Sequence, residues 1–352
     1  MSGTREVHPA WQAPRPSHLV PRASPLRVLI VGSRHPWRVE RGVERALRRA
    51  GHRTLLLDDR RLARRVGRRL TQRAARFALR RFRPDFVLLF KCLGLDLDTV
   101  AALVHGRDNA SWYQDPQWHR DTHRPDIGHI AAVGRLCRTF FVTGFDAEWR
   151  ALGLPAKFLP AAGAREIVPV PPSPAYASDV AFVGTPYDEE RPRFLAEVGR
   201  RVRLRVWGPR WDAWAGQIDW AGRPVEGAEF AAVCSSAKIT LGVLPARAAG
   251  ATSYASDRMW MSILAGGFYL GPAAPGVVEL LRDGEHCAWY RGVDGCVAQV
   301  ERYLADAALR ERVRAAGERF VRAHHTFDAR VPFLLAGEAW RNPLLAAGEA
   351  PR

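Results

Sequence analysis

The chain has 352 residues, enough for two domains of ordinary size, and 47% of them are hydrophobic, so each half can bury a core. No apolar run reaches the length needed to span a bilayer, and the proline-containing first 25 residues lack the apolar stretch of a secretory signal. The five cysteines are scattered without a CxxC pair, which favours reduced thiols over disulfides or a metal site. We therefore expect a cytoplasmic protein with a disordered arm over residues 1–25.

The formal net charge is +17, and only three of the 53 basic residues are lysines. Residues 38–83 contain 17 arginines, most of them in a segment that reads as a helix over 59–83. Its apolar residues lie along one helical face: Leu62, Val66, Leu70 and Phe77. This segment is either a solvated helix packed on the first domain or a surface that meets anionic lipid head groups or a polyanionic substrate. Nucleic acid ranks lower, because no RNP-like, zinc-finger or helix-turn-helix pattern accompanies the charge.

Short apolar runs alternate with helical patterns in both halves of the chain. In the first half, strands are expected at 26–32, 53–57, 84–90, 110–113 and 139–143. In the second half, they are expected at 179–185, 204–207, 238–243, 268–270 and 287–290. Such alternation is typical of α/β domains, in which helices cover both faces of a parallel sheet.

A proline- and alanine-rich stretch separates the two patterns and predicts a stiff linker. The expected organisation follows in chain order: an arm at 1–25, a domain at 26–160, the linker at 161–178, a second domain at 179–325 and a C-terminal tail at 326–352. Two doubly wound domains joined in this way form a cleft between the carboxyl ends of their strands, where ligands bind.

The segment SYASDRMWMSILAGG at 253–267 predicts a polar loop, an apolar helix and a Gly-Gly break, followed by a strand and a second helix start near Pro275. Arg258 opens the first helix, and Gly266 and Gly267 close it. A helix N-terminus, an arginine and bare glycine backbone are groups that favour phosphate. The C-terminal half is therefore expected to handle a nucleotide.

Several stretches, taken in order, resemble the CgeB-like (spore maturation) branch of group-1 GT-B glycosyltransferases. They are RPDFVLLF, SWYQDPQW, FFVTGFDAEWRALGLPAKFLPAA, DVAFVGTPYDEERPRFL, VWGPRW, SDRMWMSILAGGFYLGPAAPGVVELLRDGEHCAWY and VERYLADAALRERVRAAGERFVRAHHTFDAR. The resemblance covers most of residues 80–330. It implies two Rossmann-like domains that face a cleft, an acceptor-side N-terminal domain, a nucleotide-sugar donor bound mainly by the C-terminal domain, and no obligatory metal.

One residue departs from the family pattern. The basic residue at the start of the helix is usually followed three positions later by a glutamate that binds the donor ribose, and here that position is Met261. Loss of a charged acceptor for a sugar hydroxyl costs about 1.5–3 kcal/mol, or roughly a factor of ten to a hundred in affinity.

Candidate donor-site residues follow from these patterns and from the resemblance. They are Gly184, Thr185, Gly208, Trp211, Asp257, Arg258, Gly266, Gly267, Gly276, Val277 and Glu279. Arg258 can donate two parallel hydrogen bonds to a pyrophosphate, unless it forms a salt bridge with Asp257 or another surface acid. Trp211 can stack on a base or pack in the core. The two glycines at 266–267 can approach a ligand or end the helix, and Glu279 can complement a helix dipole.

Three residues of the first domain are candidates for acid–base work or acceptor contact. His35 lies in the loop after the first strand, and Asp115 and His119 follow the strand at 110–113 among tryptophans. An Asp-Pro turn is the alternative for Asp115. The DxD spelling at Asp96 and Asp98 is discounted as a metal motif, because Asp98 is expected to cap a helix, and no metal site is predicted.

The sequence thus predicts a metal-independent glycosyltransferase without a resident cofactor, whose co-substrate is a nucleotide-diphosphate sugar and whose acceptor is unknown. Two alternatives stand beside it. One is a homologue that has lost catalysis and serves as a binding or scaffold protein, for which Met261 is the main support. The other is a peripheral protein of the inner membrane face, or a polyanion-binding protein, that uses the basic helix at 59–83.

Overall fold

The computed structural model describes residues 24–116, 125–245, 248 and 251–346. They form two α/β domains, each built on a six-stranded sheet in which the paired strands are parallel. The predicted fold class, two doubly wound Rossmann-like domains facing a cleft, is confirmed. The predicted arm at 1–25 lies outside the described residues except for its last two positions.

The N-terminal domain alternates strands and helices as the apolar periodicity predicts. Its strands are β1 (Arg27–Val31), β2 (Arg53–Leu57), β3 (Phe86–Leu89), β4 (Asp108–Tyr113), β5 (Phe140–Val142) and β6 (Ala156–Phe158). Its helices are α1 (Val39–Arg49), α2 (Asp59–Phe82), α3 (Leu97–Val104), α4 (Pro125–Leu136) and α5 (Asp146–Ala151). The strand order is β2-β1-β3-β4-β5-β6. The neighbouring strands β1 and β3 bury apolar side chains at 28–31 and 86–89 because helices cover both faces of the sheet.

The second domain repeats this architecture. Its strands are β7 (Ser178–Val183), β8 (Leu204–Trp207), β9 (Asp219–Trp220), β10 (Ala237–Leu241), β11 (Tyr269–Pro272) and β12 (Ala288–Tyr290). Its helices, and those that follow to the C-terminus, are α6 (Glu190–Gly199), α7 (Ala228–Ser236), α8 (Asp257–Leu264), α9 (Gly292–Ala305), α10 (Ala307–His324), α11 (Phe327–Ala336) and α12 (Pro343–Ala346). The strand order is β12-β11-β10-β7-β8-β9, so the winding reverses between β7 and β10. Ligands of doubly wound sheets bind at such a reversal.

Two local predictions are wrong. Residues after Pro275 form consecutive turns rather than a helix, and Gly276 adopts a positive φ of 70°. Asp96, rather than Asp98, caps α3, where its carboxylate accepts a hydrogen bond from the Thr99 N–H at 2.8 Å.

Every helix in the described part of the chain is too short or too polar to cross a bilayer.

The chain returns to the N-terminal domain after α10, within the segment predicted as a tail. Helix α11 packs on α1, where a Cβ atom at Gly42 would lie 2.4 Å from the Phe327 ring. Arg49 donates two hydrogen bonds of 2.7 Å to the carboxylate of Asp328. The first domain is therefore completed by residues from the end of the chain.

Arg330 of α11 is fully buried where the chain crosses between the domains. Its guanidinium donates to the carbonyl oxygens of Pro160 at 3.0 Å and His324 at 2.8 Å, and to His325 Nδ1 at 2.9 Å. The His325 ring stacks on Trp260 of α8 with centroids 4.1 Å apart. Burial lowers the pKa of Arg330, because the groups that contact it replace water with neutral acceptors.

Replacing Arg330 by methionine should lower the free energy of unfolding by about 3 kcal/mol, because it leaves buried carbonyl oxygens without donors. Urea denaturation followed by circular dichroism measures this change. Arg319→Met, at an exposed position of α10, is the matched control and should change the free energy by less than about 0.5 kcal/mol. Equal effects of the two substitutions would contradict the role given to Arg330.

Candidate functional site

A pocket lies at the winding reversal of the second domain, between the carboxyl ends of β7 and β10 and the start of α8. Its polar lining includes Thr240, Gly242, Ser256, Arg258, Ser262 and Tyr269. Ser256 caps α8, since its Oγ accepts a hydrogen bond from the Arg258 N–H at 3.2 Å. The free N–H groups of this helix end and its dipole therefore point toward the pocket side of the sheet.

Arg258 lies on the first turn of α8, as the sequence predicts. A Cβ atom at Gly184 would lie 3.2 Å from Arg258 Nη1, so the guanidinium lies against the glycine that follows β7. Arg258 has no ion pair with any described residue, and the neighbouring carboxylate of Asp257 does not neutralise it. The expected alternative, a salt bridge to Asp257, is not formed.

A second arginine, Arg191, lies beside Arg258 and was not identified from the sequence. It is only 3% exposed, and it donates to the carbonyl oxygens of Thr185 and Val243, each at 2.8 Å. Its guanidinium also lies over the rings of Phe182 and Tyr187. Burial and, second, the positive charge of Arg258 lower the pKa of Arg191 to about 10.

The loop after β7 leaves hydrogen-bonding capacity unused. Thr185 Oγ1 and Arg191 Nε are both buried without a partner among the described residues. Two neighbouring cations, a helix N-terminus and unused donors together favour an anion with several oxygens, such as a diphosphate. Gly184 lies against Arg258, and Thr185, which follows it, contacts Arg191 through its carbonyl oxygen.

Gly208 and Trp211 have a structural role rather than a ligand-binding one. Trp211 is 0% exposed, and its Nε1–H donates to the Gly184 carbonyl oxygen at 2.8 Å. A Cβ atom at Gly208 would lie 1.8 Å from that same oxygen, and Gly208 has a φ of 144°. The prediction that Trp211 stacks on a base is wrong, because the core covers its ring.

Gly266 and Gly267 lie at the C-terminal end of α8, opposite to Arg258. Gly266 ends the helix with a φ of 78°, and its carbonyl oxygen accepts a hydrogen bond from Arg314 at 3.0 Å. A Cβ atom at Gly267 would lie 2.7 Å from Thr240 Oγ1, so this glycine permits close packing of the helix end on β10. The prediction that these glycines approach the phosphate is therefore wrong.

The residues after Pro275 lie next to the loop that leads into α8. A Cβ atom at Gly276 would lie 2.2 Å from Ser253 Oγ, so Gly276 contacts the loop that leads into α8. Val277 is buried, and its N–H donates to the Ala274 carbonyl oxygen at 3.1 Å. Glu279 is exposed, and without a helix there it has no helix dipole to complement. Of these three residues, Gly276 is the one that contacts the loop before Arg258.

The cleft side of the first domain carries an ion pair that includes a predicted residue. Asp115 follows β4, and its Oδ2 accepts from Lys91 Nζ at 2.5 Å. Lys91 and Cys92 both adopt left-handed backbone conformations, with φ of 56° and 53°. Consecutive non-glycine residues in this region are strained, and His129 supports the turn with Nε2 at 2.9 Å from the Cys92 carbonyl oxygen. Strain of this kind clusters at functional sites.

His35 and Glu40 lie in the same part of the cleft. His35 Nε2 is 3.8 Å from the Glu226 carboxylate of the second domain, so this pair bridges the two domains. Glu40 Oε1 accepts from the Ser33 N–H at 3.3 Å. Burial raises the pKa of Glu40 although that hydrogen bond and the charge of Lys91 oppose the shift. His119 lies outside the described residues.

The domains also touch on either side of this cleft. A Cβ atom at Gly227 would lie 2.2 Å from the Trp37 ring, and one at Gly144 would lie 3.1 Å from the Thr252 carbonyl oxygen. The loops at the carboxyl ends of both sheets therefore face each other across the cleft. The pocket that contains Arg258 belongs to the second domain.

Within the described ranges, His, Cys, Asp and Glu side chains do not gather in groups of three or more that could bind a metal ion.

Sequence comparison finds a known family model that matches most of the second domain. Residues 191–336 match a family model described as glycosyl transferase-like. The match begins at Arg191 and ends with α11, so it includes both arginines, helix α8 and the helix that returns to the first domain, but not β7 and the loop that follows it. No curated protein matches the sequence.

Solved structures share the architecture over most of the chain. A glycosyltransferase from Rickettsia africae has a TM-score of 0.60 at 8% identity, covering 89% of this chain and 99% of its own. HepE from Anabaena, solved with UDP and glucose, has a TM-score of 0.56 at 9% identity, covering 86% and 96%. A candidate UDP-N-acetylglucosamine 2-epimerase from Listeria monocytogenes has a TM-score of 0.52 at 10% identity, covering 86% and 94%. The fold is GT-B. At these identities the likeness shows the fold alone.

Gly208→Ala should lower the free energy of unfolding by about 3 kcal/mol, because the added methyl group collides with the Gly184 carbonyl oxygen and opposes the backbone conformation. Urea denaturation provides the measurement. Gly216→Ala, where a Cβ atom meets nothing within 4 Å, is the control and should change stability by less than about 0.5 kcal/mol. An unchanged midpoint for Gly208→Ala would rule out the close contact.

Glu40→Gln should raise stability at neutral pH relative to the parent protein. Because the pKa of Glu40 is higher in the folded state, the parent loses stability as pH rises through the unfolded and then the folded pKa. The neutral amide has no such loss, so the two proteins should converge in acid. Urea midpoints measured across this pH range test the sign, with exposed Glu301→Gln as the control. A parallel pH dependence of Glu40→Gln and the parent would contradict it.

Proposed function

We propose that the chain transfers a glycosyl group from a nucleotide-diphosphate sugar to an acceptor bound on the N-terminal side of the cleft. The observation that carries this proposal is a pair of arginines, Arg191 and Arg258, beside the N-terminus of α8. Neither forms a salt bridge with another residue that the structure describes. The glycosyl transferase-like match to residues 191–336 supports it. HepE, which shares the fold, was solved with UDP and glucose.

The donor diphosphate would bind between Arg258 and the loop after β7. Arg258 would contribute its free guanidinium, and the buried Thr185 hydroxyl would supply a hydrogen-bond donor. Arg191 would act mainly through its charge, because its terminal nitrogens already bind carbonyl oxygens. An anion between the two arginines would remove their mutual repulsion, which adds to the effect of burial in lowering the pKa of Arg191 in the free protein.

The same groups would promote departure of the diphosphate. Negative charge grows on the phosphate oxygens as the glycosidic bond breaks, and fixed positive charge stabilises it without reorganisation. We propose that the arginines and the helix dipole supply this stabilisation, so transfer should persist in the presence of a chelator. Contacts between the domains on either side of the cleft would keep water from the donor.

On the acceptor side, we propose that Asp115 binds or deprotonates the acceptor hydroxyl. Lys91 holds its carboxylate in place, and both residues lie at the carboxyl edge of the first sheet. His35, which bridges to Glu226, is the second candidate for this role. We also propose that the protein is a member of the CgeB-like branch and that it acts in the cytoplasm, as the sequence leads us to expect.

A binding protein without catalysis is the second candidate, and one observation favours it. Met261, where the family pattern has glutamate, packs against the apolar cluster that contains Val183 and Trp207. It therefore offers no acceptor to a donor ribose. Such a protein would bind a nucleotide diphosphate but would release no sugar from it.

Arg258→Ala should weaken binding of the preferred nucleoside diphosphate by roughly ten- to a hundredfold, because a charge-assisted hydrogen bond is lost. Isothermal calorimetry against UDP, GDP, ADP and TDP identifies that nucleotide. The thermal midpoint of the unliganded variant should not fall, since Arg258 stabilises no described partner. Arg193→Ala, on the exposed side of α6, is the matched control and should bind as the parent does.

Product analysis with the matching nucleotide sugar separates the alternatives. A glycosylated acceptor or slow release of free sugar supports a transferase, and an altered sugar configuration indicates an epimerase. Nucleotide binding without turnover supports the binding protein. No binding by any of the four diphosphates would overturn the donor site.

A further inference from the structure

Helix α2 packs on the first domain with only one of its faces. Thr71 and Ala75 are buried, and Leu79 and Phe82 pack on the apolar cluster formed by β1, β3, α3 and α4. The helix is thus held firmly by one face, and its remaining surface is available to other molecules.

Apolar side chains also occupy the face directed away from the domain. Val66, Leu70 and Phe77 are 44%, 50% and 62% exposed. Leu70 and Phe77 are seven residues apart, so they lie about two turns apart on the same side of the helix. Large apolar side chains on a solvent-facing helix side, aligned rather than scattered, indicate an interaction surface.

Arginines surround these apolar residues. The ten arginines of α2 are all exposed: Arg60, Arg61, Arg64, Arg65, Arg68, Arg69, Arg73, Arg76, Arg80 and Arg81. None of them forms an ion pair with another described residue. The acidic residues of this region are engaged otherwise, as Asp58 caps the helix and Asp59 is buried. The positive charge is therefore open to an external partner.

The middle of the exposed part is shaped by Gly67. Its backbone leaves the helical conformation, with φ of 82° and ψ of 163°, so the helix is interrupted there. Residues 64–70, RRVGRRL, are all exposed. Two pairs of arginines, together with Val66 and Leu70, are therefore exposed on either side of this interruption.

We propose that the outer face of α2, formed by Val66, Leu70, Phe77 and the ten arginines, binds the surface of a membrane that contains anionic phospholipids. The arginines would contact the lipid phosphates, and the three apolar side chains would enter the acyl boundary. A nucleic acid backbone satisfies the arginines equally well but gives no account of the aligned apolar residues. This inference does not rest on glycosyl transfer.

Vesicle co-sedimentation tests the proposal with the full chain. The protein should bind vesicles of phosphatidylcholine with phosphatidylglycerol, and at least tenfold more weakly vesicles of phosphatidylcholine alone. The combined variant Arg64→Gln, Arg65→Gln, Arg68→Gln and Arg69→Gln should lose at least tenfold in affinity for the anionic vesicles, since each cation contributes a factor of roughly five. A control with the same loss of charge elsewhere, Arg193→Gln, Arg312→Gln, Arg319→Gln and Arg341→Gln, should bind nearly as the parent does.

The apolar part of the surface is tested separately. Leu70→Ser with Phe77→Ser should weaken vesicle binding and leave any binding to duplex DNA unchanged. Because the five native cysteines are buried, Phe77→Cys can be labelled selectively with a polarity-sensitive fluorophore. Its emission should shift to the blue with anionic vesicles. The proposal would be overturned if the parent protein bound no vesicles or if the emission of the label did not shift. It would also be overturned if the protein bound DNA more strongly than vesicles and the serine substitutions did not change that DNA binding.

Discussion

The buried guanidinium of Arg330 joins the two passages of chain that connect the domains. The carbonyl of Pro160, just after β6, and the last carbonyl of α10 lie where the chain leaves regular structure, and neither can be satisfied by a sheet or a helix. The planar guanidinium has five N–H donors, so it can bind both carbonyl oxygens and His325 from three different nitrogens. A lysine has a single nitrogen and could not reach all three acceptors. The mutual position of the two sheets, and hence the approach of their carboxyl edges, depends on this arrangement.

Positive charge is arranged in two different ways in this molecule. Arg258 lines a pocket and Arg191 is buried beside it, so the fold maintains two like charges close to each other against their repulsion. Backbone carbonyls, rather than a carboxylate, hold Arg191, so its charge remains available to a ligand. The arginines of α2 are instead spread over an open surface, where water and salt screen them. The first arrangement favours a small, highly charged ligand, and the second favours an extended one.

The alternation of apolar runs with helices was sufficient to predict both parallel sheets, because burial on both faces leaves a strong pattern. Arg258 was found because a helix start and a cation are adjacent in sequence. Arg191 was missed because it lies in the run EERPR, which resembles an exposed helix start. Its burial depends on Val243, more than fifty residues away. For Trp211, Gly266 and Gly267 the sequence left a ligand-binding and a structural role open. Residue type indicates what a residue can do, whereas tertiary packing, which gives all three a structural role, decides what it contacts.

The crossing between the domains is double. Gly163 pairs with Thr326 in a parallel bridge, in which the Gly163 N–H donates to His325 and its carbonyl accepts from Phe327, each at 3.0 Å. Two adjacent backbone segments resist rotation about their common direction but bend together with little resistance. A double connection therefore restricts the twisting of one domain relative to the other more than a single linker would, and it leaves bending as the easier relative motion.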